Sequence, residues 1–192
     1  MSRVSELRSL LLARHGETDW NLAGRWQGTT DVPLNRTGLE QAAALAARLV
    51  GRDLRTVVAS DLDRARRTAE IVSAALGLAP PLCEPGLRER SYGLFEGLTR
   101  AQCAVQHPAA WQAFGEGREP PGAEPRAEVG ARMVETLTRL ARTHEGLLVI
   151  SHGGALRAFF DLATGVKVPP ITNVAVYEVR LAAAGFVDPR LL

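Results

Sequence analysis

Short apolar runs alternate along the chain with longer stretches of helical periodicity. The runs that are almost continuously apolar are residues 9–13, 56–60 and 147–150. Runs of this kind are typical of strands that are covered on both faces of a sheet. The stretches that repeat apolar residues every three or four positions are residues 37–51, 61–76, 124–144 and about 153–164. Each of these predicts a helix with one buried face.

Capping and stop residues mark the boundaries of the first two predicted helices. Thr37 is expected to be an N-cap, and Glu40, three residues later, would complete a capping box. Gly51 and Gly77 lie where the two helical patterns end, as glycine often does just past a last turn. We therefore expect the first helix to begin at Thr37.

The remaining segments complete a predicted α/β fold. Residues 174–181 alternate apolar and polar side chains and predict an outer strand of the sheet. The pattern from Pro81 to Gly122 is less regular, with a helical pair at about 100–114, which indicates a small helical insertion over the sheet. Strands that alternate with helices predict a three-layer sandwich, with a mostly parallel central sheet and helices on both faces. We expect a single domain over residues 1–192.

Composition narrows the class of partner. Hydrophobic residues form 46% of the 192 residues and charged residues 23%, as in ordinary globular proteins. The 23 Lys and Arg nearly balance the 21 Asp and Glu, so nucleic acid is not a predicted partner. No stretch approaches the ~18 apolar residues that a membrane span needs, and no membrane partner is expected.

The cysteines and the N-terminal residues favour a cytoplasmic protein. Cys83 and Cys103 have neither metal-type spacing nor a CxxC partner, and we expect both to be reduced, semi-buried thiols. The first apolar stretch is short, ends at Arg14 and His15, and is followed by no small-residue cleavage site. The sequence leaves the oligomeric state open, and a homodimer is compatible with it.

Polar residues and glycines follow three predicted strands at their carboxyl ends. These residues are Arg14-His15-Gly16, Arg64 in the helix after residues 56–60, and Ser151-His152-Gly153-Gly154. Ligand sites of open α/β sheets lie outside the carboxyl ends of the strands, so two histidines and two arginines can converge in one crevice. A single histidine would more readily be structural. Two strand-end histidines, each followed by glycine, favour a ligand site.

Four sequence blocks occur in a fixed order along most of the chain. They are LLARHGETDWNLAGRWQGTTDVPLNRTGLEQA, ASDLDRARRTAE, LRERSYGLFEGLT and VISHGGALRAF. Their patterns are RHGxTxxN, SxLxRAxxTA, LxExxxGxxEG and VxxHGG. RHG alone recurs by chance, but four ordered blocks at predicted sheet edges are specific. They resemble the histidine phosphatase superfamily, in its phosphoglycerate-mutase-like branch.

The resemblance implies a role for each matching residue. His15 would be the nucleophile and Glu89 the proton donor, while His152 would stabilise the transition state. Arg14 and Arg64 would be the main phosphate ligands and would complete the catalytic set. The residues implied to bind substrate are Arg14, Asn21, Gln27, Gly28, Arg64, Glu89, His152 and Gly153.

Arginine can replace a metal ion in this chemistry. A phosphate dianion mainly needs its spreading charge neutralised and its nucleophile held in line, which Arg14 and Arg64 can do. The same cations should lower the pKa of His15 and keep its imidazole neutral and nucleophilic. We therefore expect neither a metal ion nor a cofactor.

Three charged residues within the blocks have alternative interpretations. Glu89 could form a surface ion pair with Arg88 or Arg90, although its place in LRERSYG favours proton transfer to a departing alkoxide. Arg90 could reach an anionic substrate. Arg157 is expected to be a charge on a helix surface or at the rim.

Three functions fit the blocks. The main hypothesis is a phosphomonoester hydrolase, a phosphatase that acts through a phosphohistidine on a small organic phosphate metabolite, acidic or sugar-like. The alternatives are a cofactor-dependent phosphoglycerate mutase and a silent phosphate-binding module, the latter disfavoured because each catalytic position holds a competent residue. The leaving group stays open, because selectivity depends on the insertion over about residues 94–122.

Overall fold

The computed structural model describes residues 7–192. The expectation that the chain has no leader rests partly on residues 1–6, which lie outside the described residues. The strands are β1 (Arg8–Arg14), β2 (Thr56–Ala59), β3 (Leu82–Cys83), β4 (Leu147–Ser151), β5 (Val176–Ala182) and β6 (Gly185–Leu191). The helices are α1 (Asp19–Leu22), α2 (Arg36–Leu49), α3 (Asp63–Ala75), α4 (Arg100–Gln106), α5 (Pro108–Gly115), α6 (Arg126–Thr143) and α7 (Gly153–Thr164).

The six strands form one sheet in the order β3-β2-β4-β1-β5-β6. The first four strands in this order run parallel, whereas β5 is antiparallel to β1 and β6 is antiparallel to β5. The mostly parallel sheet is therefore confirmed. Because four strands run in the same direction, the segments that follow them meet at one edge of the sheet.

Alternate residues of the central strands enter two separate cores. Leu10 and Leu12 pack with α6 and α7 on one face, and Leu11 and Ala13 pack with α2 and α3 on the other. All four of these side chains are at most 5% exposed, as expected of a strand covered on both faces. The three-layer α/β sandwich is confirmed.

The sheet is wider than the sequence pattern predicts. β5 is not an outer strand, because β6 pairs with it from Tyr177 to Ala182. The β6 pattern is interrupted by Pro189 and by Asp188, whose φ is 54°, which conceals the strand in the sequence. At the opposite edge, β3 is only two exposed residues long.

The first long helix begins earlier than predicted. Its N-cap is Asn35, whose Oδ1 accepts the N–H of Gly38 at 2.8 Å. Thr37 is therefore inside α2, and the predicted capping box with Glu40 is wrong. Glu40 instead forms an ion pair with Arg36 on the helix surface, at 3.1 Å.

The insertion between β3 and α6 contains the expected helical pair, α4 and α5. An aromatic cluster of Phe95, Trp111, Phe114 and Trp26 joins it to the loop after β1. The two cysteines are both free, but Cys83 is exposed and Cys103 is buried, so neither is semi-buried. None of the described helices has the length and apolar character needed to cross a membrane.

Candidate active site

The carboxyl ends of the four parallel strands bring the predicted catalytic residues together at a cavity of about 260 Å³, and all of them except His152 line it. His15 follows β1, Arg64 lies in the first turn of α3 after β2, and His152 is the N-cap of α7 after β4. Glu89 follows the short 3₁₀ turn after β3. The cavity lining includes His15 and every residue expected to bind substrate except His152.

The His15 ring is held so that one nitrogen is free. Its Nδ1 lies 2.6 Å from the carbonyl oxygen of Gly16, and because a carbonyl can only accept, Nδ1 carries the proton. The lone pair is then on Nε2. The backbone N–H of His15 donates to the Ser151 carbonyl at 3.0 Å, which fastens the end of β1 to β4. Nε2 is the atom of this ring that can act as a nucleophile.

The His15 imidazole is neutral for more than one reason. Burial lowers the pKa of His15 well below its usual range, and the positive charges of Arg14 and Arg64 lower it further. The hydrogen bond to Gly16 acts in the opposite direction but is a smaller effect on this pKa. The arginines therefore act as expected, although desolvation is the larger cause.

His152 lies against His15 and not in the cavity lining. The two ring centroids are 5.1 Å apart and the ring planes are inclined by 59°. Burial, followed by the charge of Arg64, lowers the pKa of His152 well below its usual range. Neither of its ring nitrogens has a hydrogen-bond partner among residues 7–192. A neutral ring of this kind can donate one N–H to a ligand.

Arg14 and Arg64 are held by backbone carbonyls and not by carboxylates. Nη1 of Arg14 donates to the Ile171 carbonyl at 2.7 Å. Arg64 donates to the carbonyls of Thr30 at 2.9 Å and Gly28 at 2.8 Å. The Nε atoms of both arginines have no partner in the described part of the chain. Since an unpaired buried donor costs about 1–3 kcal/mol, these atoms favour a bound anion.

Backbone N–H groups hold the Glu89 carboxylate. Oε1 accepts the N–H of Arg90 and Oε2 accepts the N–H of Gly154, each at 2.9 Å. A Cβ at Gly154 would lie only 2.5 Å from Oε1 of Glu89. Glycine at position 154 is therefore what allows the carboxylate to approach the start of α7.

The neighbouring arginines have other partners. Arg88 forms an ion pair with Asp61, and Arg90 with Glu119. The interpretation of Glu89 as the ion-pair partner of either arginine is therefore wrong. Arg90 is 6% exposed and does not line the cavity, so the expectation that it reaches substrate is also wrong.

Three more arginines line the cavity: Arg25, Arg100 and Arg157. None of them has an ion-pair partner among the described residues. The Arg100 guanidinium lies 5.5 Å from the ring centroid of Trp26, which also lines the cavity. Arg157 was expected on a helix surface or at the rim, and neither Arg25 nor Arg100 follows a predicted strand in the sequence. The three arginines come together only in the folded protein.

The described residues hold no cluster of three or more His, Cys, Asp or Glu that could bind a metal ion. Charge at the site comes instead from the arginines, which fits a reaction that needs no metal.

Comparisons with known proteins agree with the geometry. The family model described as "Histidine phosphatase superfamily (branch 1)" matches residues 10–187. The chain is 38% identical over 186 residues to the "Metal-independent phosphoserine phosphatase" of Arabidopsis thaliana, covering 92% of this chain and 78% of that relative. A "Probable phosphoglycerate mutase" of Serratia proteamaculans is 37% identical over 162 residues, covering 81% of this chain and 74% of that relative.

A solved structure is similar over nearly its whole length. The mycobacterial glucosyl-3-phosphoglycerate phosphatase, in complex with VO₃, superposes with a TM-score of 0.85 at 28% identity, covering 96% of this chain and 97% of that one. Relatives and structural neighbours together support a phosphatase over a mutase. The chain belongs to the histidine phosphatase superfamily, and it is a phosphatase of that family.

Proposed function

We propose that the protein hydrolyses small organic phosphate monoesters through a phosphohistidine on Nε2 of His15, without a metal ion. The observation that carries this proposal is the orientation of the His15 ring. Its Nδ1 is engaged by the Gly16 carbonyl, so the free lone pair belongs to the nitrogen that can attack a phosphoryl group between Arg14 and Arg64. The likeness to a metal-independent phosphatase supports it.

In the first half of the reaction, Nε2 of His15 attacks phosphorus and the bond from phosphorus to the ester oxygen breaks. The guanidinium groups of Arg14 and Arg64 neutralise the phosphoryl oxygens, and a neutral His152 donates an N–H to them. Glu89 in its protonated form gives its proton to the departing alkoxide.

In the second half, water attacks the phosphorus of the phosphohistidine. The carboxylate of Glu89 takes a proton from that water. The nitrogen–phosphorus bond breaks, inorganic phosphate leaves, and the lone pair returns to Nε2 of His15.

The charge of the cavity favours a substrate with a second anionic group. Five arginines line the cavity, whereas Glu89 is the one carboxylate in the lining. Arg14 and Arg64 are enough for the phosphoryl group, which leaves the guanidinium groups of Arg25, Arg100 and Arg157. We propose esters that carry a carboxylate, a class that includes phosphoserine and phosphoglycerates.

A panel of phosphate esters assayed for released phosphate tests the reaction. The panel contains phosphoserine, 3-phosphoglycerate, phosphosugars, ribazole phosphate and p-nitrophenyl phosphate, each with EDTA present. Wild-type protein should release phosphate, and His15→Ala should form no acid-labile phosphoenzyme. His144→Ala, a histidine outside the cavity lining, should keep full activity as the matched control. Phosphoenzyme in His15→Ala would place the nucleophile elsewhere.

The same panel separates hydrolysis from mutase chemistry. With or without a bisphosphoglycerate primer, release of phosphate from 3-phosphoglycerate should greatly exceed its conversion to 2-phosphoglycerate. If the primed enzyme converts 3-phosphoglycerate to 2-phosphoglycerate faster than it releases phosphate, the protein is a mutase and the hydrolase proposal is wrong.

The proposed substrate class has its own test. Arg100→Gln and Arg157→Gln should each raise KM for phosphoserine about tenfold, because each loses a charged hydrogen bond. KM for p-nitrophenyl phosphate, which has no carboxylate, should change little. Arg118→Gln, whose arginine pairs with Glu116 on the surface, should behave as wild type. Equal effects on both substrates would contradict the carboxylate proposal.

The proposed partner is a small-molecule phosphate ester, and the nearly balanced charge of the chain gives no reason to add a nucleic acid or a membrane. A cytoplasmic location and a homodimer stay predictions. Cell fractionation and the molar mass in solution would check them.

A further inference from the structure

The loop between α7 and β5 contacts the site through a residue that follows no strand-end pattern, Asn173. Its Nδ2 donates to the backbone carbonyl of His15 at 3.0 Å and to Oδ1 of Asn21 at 3.2 Å. The same loop supplies the Ile171 carbonyl that holds Arg14. One short segment therefore touches the nucleophile and two residues that line the phosphate cavity.

The hydrogen bonds settle which way each of the two amides faces. The His15 carbonyl can only accept, so Asn173 must turn Nδ2 towards it. Because Nδ2 of Asn173 is a donor, the atom of Asn21 that faces it must be the acceptor, Oδ1. The backbone N–H of Thr18 can only donate, and it also points at Oδ1 of Asn21, at 3.3 Å. Both neighbours thus take the oxygen side of Asn21. Its Nδ2, a donor, is left for the cavity that Asn21 lines.

The backbone beside Asn173 is held in an uncommon conformation. Val174 has a φ of 52°, in the left-handed region that a β-branched residue rarely adopts. Its N–H donates to the Arg14 carbonyl at 3.1 Å, and the N–H of Arg14 donates to Ala175 at 3.2 Å. Pairing with the end of β1 on both sides keeps this conformation in place, which fixes the direction of the Asn173 side chain.

We propose that Asn173 is a positioning residue of the phosphatase reaction, which keeps the amide of Asn21 turned so that its N–H₂ group meets a phosphoryl oxygen. Without Asn173 only the long contact from the Thr18 N–H, at 3.3 Å, still favours this orientation of Asn21. The amide then turns over more readily and presents its oxygen to the phosphoryl group, which repels it. The inference rests on the proposed function in one respect, that the phosphoryl group of the substrate lies beside Asn21.

A double-mutant cycle measures whether Asn173 acts through Asn21. The probes are p-nitrophenyl phosphate for kcat/KM and orthovanadate for inhibition. Asn21→Ala should lower kcat/KM about 10- to 100-fold, as expected for the loss of a hydrogen bond to a charged group. Asn173→Ala should lower it about tenfold and raise the vanadate inhibition constant by a similar factor, which a reduced amount of folded protein would not do. The double variant should be no worse than Asn21→Ala.

Two further variants serve as controls. Asn35→Ala removes the remaining asparagine, which caps α2 outside the cavity lining, and any loss it causes should multiply with that of Asn21→Ala. Asn173→Asp keeps the size of the side chain but has no donor when ionised, so it should lose at least as much kcat/KM as Asn173→Ala. This variant keeps the test decisive if Asn173→Ala folds poorly.

The outcomes separate this proposal from the proposed function. Losses from Asn21→Ala and Asn173→Ala that multiply, or a vanadate constant that does not move, would overturn the role of Asn173 while hydrolysis through His15 stands. Turnover by His15→Ala would instead overturn the proposed function itself.

Discussion

The position of Glu89 depends on residue 154 being a glycine, which has no side chain. Its carboxylate contacts the N–H of Gly154 at 2.9 Å, in a space that a Cβ at residue 154 would enter to within 2.5 Å of Oε1 and 2.7 Å of the Tyr92 hydroxyl. No rotation of a methyl group relieves such a contact, so the carboxylate or the start of α7 would have to shift. Glu89, the proposed proton donor, would then miss the leaving oxygen.

We predict that Gly154→Ala impairs turnover according to the leaving group. In the proposed mechanism, release of an alkoxide needs a proton from Glu89, so kcat for phosphoserine should fall by about 10²–10⁴-fold, the range typical of general acid catalysis. Release of p-nitrophenolate needs no proton, and its kcat should fall much less. Steady-state kinetics on the two substrates measures the difference.

Gly115→Ala is the matched control for that prediction. A Cβ at Gly115 would meet nothing within 4 Å, and this variant should behave as wild type on both substrates. An equal fall for phosphoserine and p-nitrophenyl phosphate in Gly154→Ala would mean that the shift disturbs the phosphoryl site and not the proton donor.

Residues that follow a strand end or lie in one of the four sequence blocks could be predicted from the sequence, whereas residues outside them could not. His15, Arg64 and His152 are found because each lies shortly after a buried apolar strand, and the segments that follow parallel strands meet at one edge of the sheet. Arg100 and Asn173 come from the insertion and from the loop before β5, and nothing in their local pattern distinguishes them from surface residues. Their contacts with Trp26 and Asn21 exist only once distant segments have packed.

At the scale of the element, the start of α2 shows which of two residues, Thr37 or Asn35, caps the helix. Thr37 and Glu40 have the spacing of a capping box, but the structure gives the cap to Asn35, which also donates to Glu17 at 3.0 Å. Asparagine is at least as good an N-cap as threonine. Here its second contact, with the loop after β1, decides where the helix begins.

We predict that Asn35→Ala lowers the free energy of unfolding by about 1 kcal/mol, the usual effect of losing a helix cap. Thr37→Ala should change it by no more than about 0.5 kcal/mol, as for other surface substitutions. Urea denaturation of the two variants gives both values. A larger loss for Thr37→Ala would restore the capping box that the sequence suggested.

The long buried elements were predictable, and the short edge elements were not. β1 and β4 lie between two helical layers, so their apolar runs carry a strong signal. β3 has two exposed residues and β6 is broken by Pro189, so neither carries the period-two alternation of a half-buried strand. Pairing with β2 and β5 creates these strands, and that pairing is a property of the assembled sheet.

At the scale of the whole molecule, the burial of two neutral histidines in the site makes the free energy of unfolding depend on pH. His15 and His152 are both buried at the edge of the sheet, and burial with neighbouring arginines lowers the pKa of each well below its usual range. In the unfolded chain both return to a pKa of about 6.5. The unfolded chain therefore binds more protons than the folded protein when the pH lies below that value.

The sign of the resulting pH dependence follows from this difference in bound protons. Where the unfolded state binds more protons, the free energy of unfolding rises with pH and falls as the pH falls. The stability contributed by neutral histidines is fully present above the unfolded pKa of about 6.5, and it is lost as the pH drops towards their lowered folded pKa values. Asp61 and Glu178, whose pKa values in the folded protein are lowered mainly by arginine hydrogen bonds, lose their contribution only below about pH 5.

We therefore predict that the free energy of unfolding falls between about pH 7.5 and about pH 5.5, by about 1 kcal/mol for each of the two buried histidines. Urea denaturation across this range measures the fall, before the carboxylates contribute. His15→Asn and His152→Asn should each remove about half of the pH dependence, because asparagine has no proton to gain in the unfolded chain. Each variant is compared with wild type by its slope against pH and not by its absolute stability, so a general loss of packing does not imitate the effect. If the variant that lacks both histidines kept the whole dependence, the neutral state of His15 that makes Nε2 a nucleophile would lose its support.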